Sequence, residues 1–422
     1  MPKVAIIGAG PAGLTAAHYL SLRGYQITIF EKEAMPGGML NLCIPHYRMP
    51  RNILNKEIAS IINAKNIMLN CNTGLDNKLT IQNLFSDGYQ AIFLSMGAHK
   101  SRLLNIEGEN VHMGAHKKRL LNIEGENVNG VYPAIGFLKT FNTKGKQLAK
   151  GKVGIIGGGD SAVDAARISL RQKSVESVTI FYRRALKEMP ALEEDVQAAL
   201  MEGVDIRTLI SPLKIHADNK QLKGVQFILN KEGEIDASGR RKPVPQKGTE
   251  HFITLDTLVV TIGDIPDIDC VLSMGVETTK WGTIKADKHT LETNITGVFA
   301  GGDVVTGPST VVEAIAAGKK ADMVIDRYLQ GESLRKQPEI RLPQIYIEPL
   351  KTMDEELEAV ERIRLPTIPI GIRKKSVKEV ELTIMENEAQ REARRCLRCD
   401  LEFTEKKEQY DEAKQEKGGI LA

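Results

Sequence analysis

The chain has 422 residues, with 57 Lys plus Arg against 54 Asp plus Glu for a formal net charge of +3, and it is 42% hydrophobic and 26% charged. At about 100–200 residues per domain this is an ordinary globular composition spread over several domains, and it excludes a disordered, collagen-like or small disulfide-framework protein. No run approaches the roughly 18 uninterrupted apolar residues of a membrane span, and no basic stripe is clustered enough for nucleic acid to be expected as a partner. Five cysteines in a chain this long, three of them (Cys43, Cys71 and Cys270) widely scattered, do not make a secreted disulfide framework, which points to the cytoplasm.

In chain order, residues 4–7 form a short apolar run, glycines follow at once, a helical pattern covers 11–23 and stops at Gly24, and 26–30 reads as a second strand. Lys3 followed by this apolar stretch mimics a signal peptide, but a strand, tight turn, helix and strand within about 30 residues is the pattern of a βαβ crossover. The same order returns at 152–182, with a strand at 153–156, three glycines, a helix over 161–171 and a strand over 177–182. A helix over 192–202 ends where Gly203 supplies a C-cap. Beyond Leu329, Pro338, Pro343, Pro349, Pro366 and Pro369 break regular structure repeatedly. That stretch reads as an extended wrap with a short acidic helix near 353–362. Thr383 and Glu386 have capping-box spacing and open a helix through Arg395, and the tail over 406–419 is polar and expected to fray.

Residues 96–112 and 113–129 are tandem copies, MGAHKSRLLNIEGENVH and MGAHKKRLLNIEGENVN, which differ only at 101/118 and 112/129. Two copies are too few for a solenoid. A recent duplication, or an error in the underlying sequence, is the expected origin, and the extra copy is expected to loop out at the surface, where insertion costs little closure entropy.

GAGPAG at 8–13 places Gly8, Gly10 and Gly13 directly after a strand and at a helix start, with Pro11 and Ala12 between them. The first glycine permits the tight turn, the second lets the backbone approach a pyrophosphate, and the third allows close helix packing. The helix N-terminus then holds the phosphates. Glu31 ends the next strand, where a carboxylate can accept hydrogen bonds from ribose hydroxyls. The second turn, at 157–162, carries Gly158, Gly159, Asp160 and Ser161, with Ala162 in place of the third glycine. Its following strand ends in Arg183 and Arg184 rather than an acid. Guanidinium pairs with a 2′-phosphate, so this site is expected to prefer NADP(H) to NAD(H). In the stretch 293–322 a strand runs into Gly301, Gly302 and Asp303, and a helix begins near Thr310 and Val311. Asp303 is placed to accept from a sugar-alcohol chain, and the N–H groups at the helix start can stabilise negative charge on a reduced ring.

The segments VAIIGAGPAGLTAAHYLSLRGYQITIFEKEAMPGGML, IPHYRMP, VGIIGGGDSAVDAAR, VTIFYRRALKEMPA and VFAGGDVVTGPSTVVEAIAAGKKA together resemble the FAD-dependent pyridine-nucleotide oxidoreductases of the glutamate synthase small-subunit type. That group includes the flavin and NADPH half of dihydropyrimidine dehydrogenase and the large subunit of ferredoxin-dependent transhydrogenases. The resemblance covers most of residues 1–329. It implies an α/β fold of two Rossmann-like domains, the second inserted in the first: an FAD domain at 1–145 and 286–330, an NAD(P)H domain at 146–285, and an irregular, partly helical extension at 331–422. It implies FAD contacts at Gly8 to Gly13, Glu31, Lys32, Gly38, Met39, Leu40, Arg48, Gly302, Asp303, Thr310 and Val311, with Gly97 and Ala98, or their copies Gly114 and Ala115, near the flavin nucleotide. NADP(H) contacts are implied at Gly158 to Ser161, Arg183, Arg184, Ile262 and Gly263.

By the same resemblance the chain is an enzyme that takes hydride from NADPH onto FAD and passes electrons to an iron–sulfur protein or a large catalytic subunit. No acid–base residue is needed for the hydride step, so no catalytic residue is named. The cysteine-rich, cluster-binding N-terminal domain common in the group is absent from this sequence, so an internal cluster relay is not expected. Cys396 and Cys399 resemble a cysteine-bearing helix end of iron–sulfur relatives. Two thiolates are half of a four-ligand shell, and three readings stay open: a cluster or metal shared with a partner, a redox disulfide, or a remnant. A self-contained disulfide reductase would need a cysteine pair beside the flavin, where Cys43 stands alone. A flavin-stabilised scaffold that binds a larger complex through its tail is the non-enzyme alternative.

Overall fold

The computed structural model describes residues 1–101, 128–236, 239–334 and 362–394. The chain divides into two compact units, one of Met1–Arg335 with Pro369–Val380 and one of Lys336–Ile368 with Glu381–Ala422.

The first unit contains two five-stranded parallel sheets. One runs in the order Val298–Ala300, Tyr89–Leu94, Lys3–Ile7, Gln26–Phe30, Ile67–Asn70. Its inner strands read as continuous apolar runs because both faces are covered, and Val4, Ala5, Ile6, Ile29, Ile92 and Phe93 are all buried. Helices Pro11–Leu22 and Val311–Leu329 cross closely on one face. The crossing needs Gly318, where a Cβ would stand 2.4 Å from the Ala12 carbonyl oxygen.

The other sheet runs Val131–Pro133, Thr257–Val260, Gly151–Ile156, Val175–Phe181, Asp205–Arg207. Helix Asp160–Leu170 follows its central strand, and helix Glu193–Glu202 ends at left-handed Gly203. An antiparallel layer of Ile210–Asp218, Gln221–Ile235, Arg241–Pro245 and His251–Thr254 packs on it, with the Phe181 and Phe227 ring centroids 4.4 Å apart.

Two crossings join the sheets at places the glycine motifs do not mark. Val131–Pro133, ahead of the expected boundary at 146, already pairs with the second sheet. Ile268, Val271, Val276 and Ile284, ahead of the expected return at 286, already share a core with Ala5, Ile7 and Phe30 of the first. Between these crossings, Lys100–Ser101 pairs antiparallel with Asp264–Ile265. Residues 96–101, which open the first copy of the repeat, thus lead out of the first sheet, while Val128 and Asn129, which close the second copy, lead into the other; Asn129 donates its N–H to the Lys220 carbonyl at 2.7 Å.

In the second unit, Thr367 bridges Glu381 and the Leu382 N–H reaches the Pro366 carbonyl at 2.7 Å. Helix Glu386–Arg394 starts later than the Thr383 spacing suggests. The Met385 N–H donates back to the Glu388 carboxylate at 2.9 Å, which sets the start of the helix at that residue. The expected helix near 353–362, of which only Arg362 is described, and the expected surface loop of the repeat lie otherwise outside the described residues.

Candidate dinucleotide sites

Both candidate sites lie at the carboxyl ends of parallel strands, where open α/β sheets bind ligands. At the first, the helix Pro11–Leu22 has Gly10 as N-cap and no side-chain cap, so its leading N–H groups are left for an anion. A Cβ on Gly10 would meet nothing closer than the Gly38 Cα, 4.0 Å away, whereas a Cβ on Gly38, which has φ +53°, would stand 2.9 Å from the Gly10 Cα. The two turns form a backbone-walled cradle that fits a pyrophosphate, and Gly38 caps the short helix Met39–Leu42. Gly13 supplies the close packing expected of it, since its Cβ would fall 2.0 Å from the Gly8 carbonyl oxygen.

Glu31 is buried at the end of its strand. Its Oε2 accepts the Ala9 N–H at 2.6 Å and its Oε1 accepts the Glu33 N–H at 2.8 Å. Burial raises its pKa and the two N–H groups oppose the rise, while each oxygen keeps lone-pair capacity for a ribose hydroxyl. Lys32 is paired with Asp267 at 3.4 Å. Gly97 and Ala98 of the first repeat copy follow strand Tyr89–Leu94, with Ala98 buried; Gly114 and Ala115 lie outside the described residues.

Gly302 caps the single turn Asp303–Thr306, and Thr310 caps Val311–Leu329 in a capping box with Glu313. Burial pushes the Asp303 carboxyl up to about 6, opposed by the Ser309 N–H and reinforced by Glu313. A carboxylate that accepts from a sugar-alcohol hydroxyl is ionised above this value and lost below it. FAD affinity of the stripped protein is therefore expected to weaken roughly tenfold between pH 7 and pH 5, and D303N should flatten that dependence. Fluorescence titration with FAD at the two pH values measures it; an equal slope in D303N removes Asp303 from the account.

The second cradle repeats the first. Helix Asp160–Leu170 has Gly159 as N-cap and again no side-chain cap, and a Cβ on Gly159 would find only Pro190 Cγ at 3.9 Å. Gly158 is held against Tyr182, where a Cβ would stand 2.5 Å from the ring. Ile262 and Gly263 follow strand Thr257–Val260 directly beside this turn. The Asp160 carboxylate accepts the Leu192 N–H at 3.2 Å. The two arginines differ sharply: Arg183 is exposed, whereas Arg184 is buried and bonded to Asp236 at 2.7 Å.

Arg48, expected at the flavin, sends its guanidinium to Asp164 at 3.1 Å and to Asp195 at 2.9 Å, on two helices of the second nucleotide-binding body. Beside it, Glu202 is fully buried and gathers Arg167 and Arg171, both at 2.8 Å, and Arg373 at 3.9 Å. The Tyr47 ring lies 4.6 Å and 4.3 Å from the guanidinium carbons of Arg167 and Arg171. Arg171 also donates to the Ser376 carbonyl, and Val380 donates its N–H to the Tyr47 carbonyl. This network joins IPHYRMP, the second body and the strap Pro369–Val380. One signal for it is in the sequence: Arg167 and Arg171 lie four apart, at the last turn and the C-cap of helix Asp160–Leu170, and so share one face.

Among the described residues the cysteines Cys43, Cys71 and Cys270 are unpaired. Burial pushes the Cys43 thiol well up, the opposite of an activated thiolate, so the described residues give no dithiol beside the first cradle. Cys396 and Cys399 lie outside them. No helix among the described residues is long and apolar enough to cross a membrane.

The family model for pyridine nucleotide-disulphide oxidoreductases matches residues 2–318. The chain belongs to this family. Within it the chain is of the glutamate synthase small-chain type. It is 40% identical over 407 residues to the NADP(+)-dependent formate dehydrogenase subunit beta of Moorella thermoacetica, covering 94% of this chain and 54% of that one. To the glutamate synthase (NADPH) small chain of Escherichia coli it is 32% identical over 344 residues, covering 78% of this chain and 69% of that one. The chain thus spans about half the length of the first of these relatives. Mycobacterium tuberculosis FprA in complex with NADPH shares the fold, with a TM-score of 0.62 at 17% identity over 78% of this chain and 86% of that one.

Proposed function

We propose that the chain is the nucleotide-oxidising subunit of a cytoplasmic redox assembly, oxidising NADPH and passing electrons to an iron–sulfur protein or large catalytic subunit. The observation that carries this is the pair of uncapped glycine cradles with opposite charge beside them, Glu31 at the first and Arg183 with Arg184 at the second. FAD in the first cradle supplies the two-electron acceptor for the nicotinamide hydride. The protein's part is to hold two dinucleotides. Gly10 and Gly38 admit the pyrophosphate, Glu31 and Asp303 accept from hydroxyls, and the Gly157 to Gly159 turn with Ile262 and Gly263 receives the second nucleotide. Arg48, tied to Asp164 and Asp195, fixes the spacing between the bodies on which transfer at about 3–3.5 Å depends.

The subunit names of the formate dehydrogenase and glutamate synthase relatives support a partner. In this reading Cys396 and Cys399 contribute two thiolates to a cluster whose remaining ligands come from that partner. The test is anaerobic transfer from NADPH to an oxidised ferredoxin-type protein. Bleaching of the iron–sulfur chromophore that depends on the FAD-loaded chain is expected; reduced flavin with no transfer to any such acceptor would remove the partner from the reading.

A further inference from the structure

A hairpin arm leaves the antiparallel layer and returns to the second cradle. Its strands pair from Asn230 with Pro245 to Ile235 with Arg241. Ile235 is 65% exposed and Val244 36%, so apolar burial does not hold the arm in place; an isolated two-stranded hairpin is marginal in water. Its anchors are polar and all fall on the segment after strand Val175–Phe181. Asp236 accepts from Arg184 Nη2 at 2.7 Å. The Arg241 N–H donates to Glu188 Oε1 at 2.7 Å. The Arg240 guanidinium hydrogen-bonds Tyr182, whose hydroxyl donates to the Glu188 carbonyl at 2.7 Å, and the Asp236 N–H closes the turn onto the Arg240 carbonyl at 2.8 Å. Tyr182 is the ring that packs on Gly158, so Arg240 is fixed one side chain away from the cradle.

A separate observation points to a ligand there. Arg184 is 5% exposed, yet its Nε and Nη1 have no hydrogen-bond partner. Unfilled donors on a buried cation are costly unless an anion meets them. On this segment the Arg184 guanidinium meets the Asp236 carboxylate and the Arg240 guanidinium meets Tyr182, with Arg183 exposed next in sequence. The Glu188 carboxylate is engaged by the backbone N–H groups of Ala185 and Arg241.

We infer that the arm is part of the nucleotide site: Arg240 is a third cation for a 2′-phosphomonoester on the adenosine ribose, and Asp236 is the positioning residue that sets Arg184 for it. This rests on the NADPH reading of the second cradle. A phosphomonoester presents three strong acceptor oxygens and nearly two negative charges at pH 7, more than one exposed arginine satisfies. A deletion or reversal of charge in the arm would thus alter the choice between phosphorylated and unphosphorylated nucleotides without touching the glycine turn.

Calorimetric titration of the FAD-loaded full chain with 2′,5′-ADP and with 5′-AMP tests it. The wild type should bind 2′,5′-ADP much more tightly than 5′-AMP. R240Q should lose about tenfold of the 2′,5′-ADP affinity, and D236N a smaller factor, both with 5′-AMP binding unchanged, a ratio that mere loosening of the arm would not move. R241Q, whose side chain reaches only the Gly233 carbonyl at 3.5 Å, should match the wild type. A wild type that binds the two ligands equally overturns the 2′-phosphate reading itself. A wild type that discriminates, with an R240Q variant that discriminates equally well, overturns the arm's part alone.

Discussion

Replacing Glu202 by Gln is expected to destabilise the protein by about 3–5 kcal/mol, the usual cost of removing one partner from a buried ion network. The substitution keeps the shape, removes the charge and turns one of the two acceptor oxygens into an amide donor. Arg167 and Arg171 each make two hydrogen bonds to this carboxylate, between 2.8 and 3.2 Å, and all are buried. Arg373, 5% exposed, adds a third cation from the strap. Without the carboxylate the three guanidiniums would face one another with too few acceptors. Burial alone would raise the Glu202 pKa; the hydrogen bonds from Arg171 and Arg167 overcome it and hold the value below normal. The sign follows from that depression: the stability contributed by Glu202 is present above the unfolded-state pKa and is lost as pH falls through the lower folded value. Urea unfolding at neutral pH measures the loss. A change under about 1 kcal/mol would mean that the network is offset by its own desolvation.

The G157A variant is expected to slow NADPH-dependent flavin reduction by about 100-fold or more, the scale associated with an ångström of misplacement in a reacting pair, while FAD stays bound. Gly157 has φ +141°, which L side chains rarely adopt, and its Cβ would stand 2.1 Å from Thr261 Oγ1 and 2.5 Å from the Thr261 carbonyl oxygen. Both atoms belong to the segment that carries Ile262 and Gly263, and Thr261 Oγ1 is itself bonded to the Ile156 carbonyl at 2.8 Å. The methyl group must therefore push apart the strand ends that frame the second cradle. The first cradle is built from other strands, so the purified variant should remain yellow. Anaerobic stopped-flow bleaching, with FAD stoichiometry as the control, measures the effect. A wild-type rate in G157A would show that the turn does not receive the nucleotide.

What was legible in the sequence was local. Residues 4–31 and 152–182 carry their strand, turn and helix signals within about 30 positions, and helix Pro11–Leu22 and strand Gln26–Phe30 lie where those signals put them. The same holds for Thr310 as a helix cap and Gly203 as a helix end. What was not legible depends on contacts between distant segments. Arg48 reads as one more polar residue after a histidine and a tyrosine, and only the packing of helix Asp160–Leu170 against IPHYRMP gives it Asp164 as a partner. Arg183 and Arg184 look equivalent as neighbours, but alternation at a strand end sends one to solvent and the other inward to Asp236. The arm at 231–245 alternates no apolar face, so periodicity does not mark it, although Gly239 followed by Arg240, Arg241 and Lys242 is a basic turn that could have been singled out.

In the proposed function one cradle holds FAD and the other a phosphorylated nicotinamide nucleotide that reduces it. Anaerobic titration of the purified FAD-loaded protein with NADPH and, in parallel, NADH tests this most directly. Bleaching of the flavin band by NADPH at much lower concentration than by NADH is the predicted result; bound FAD that neither nucleotide reduces would contradict it.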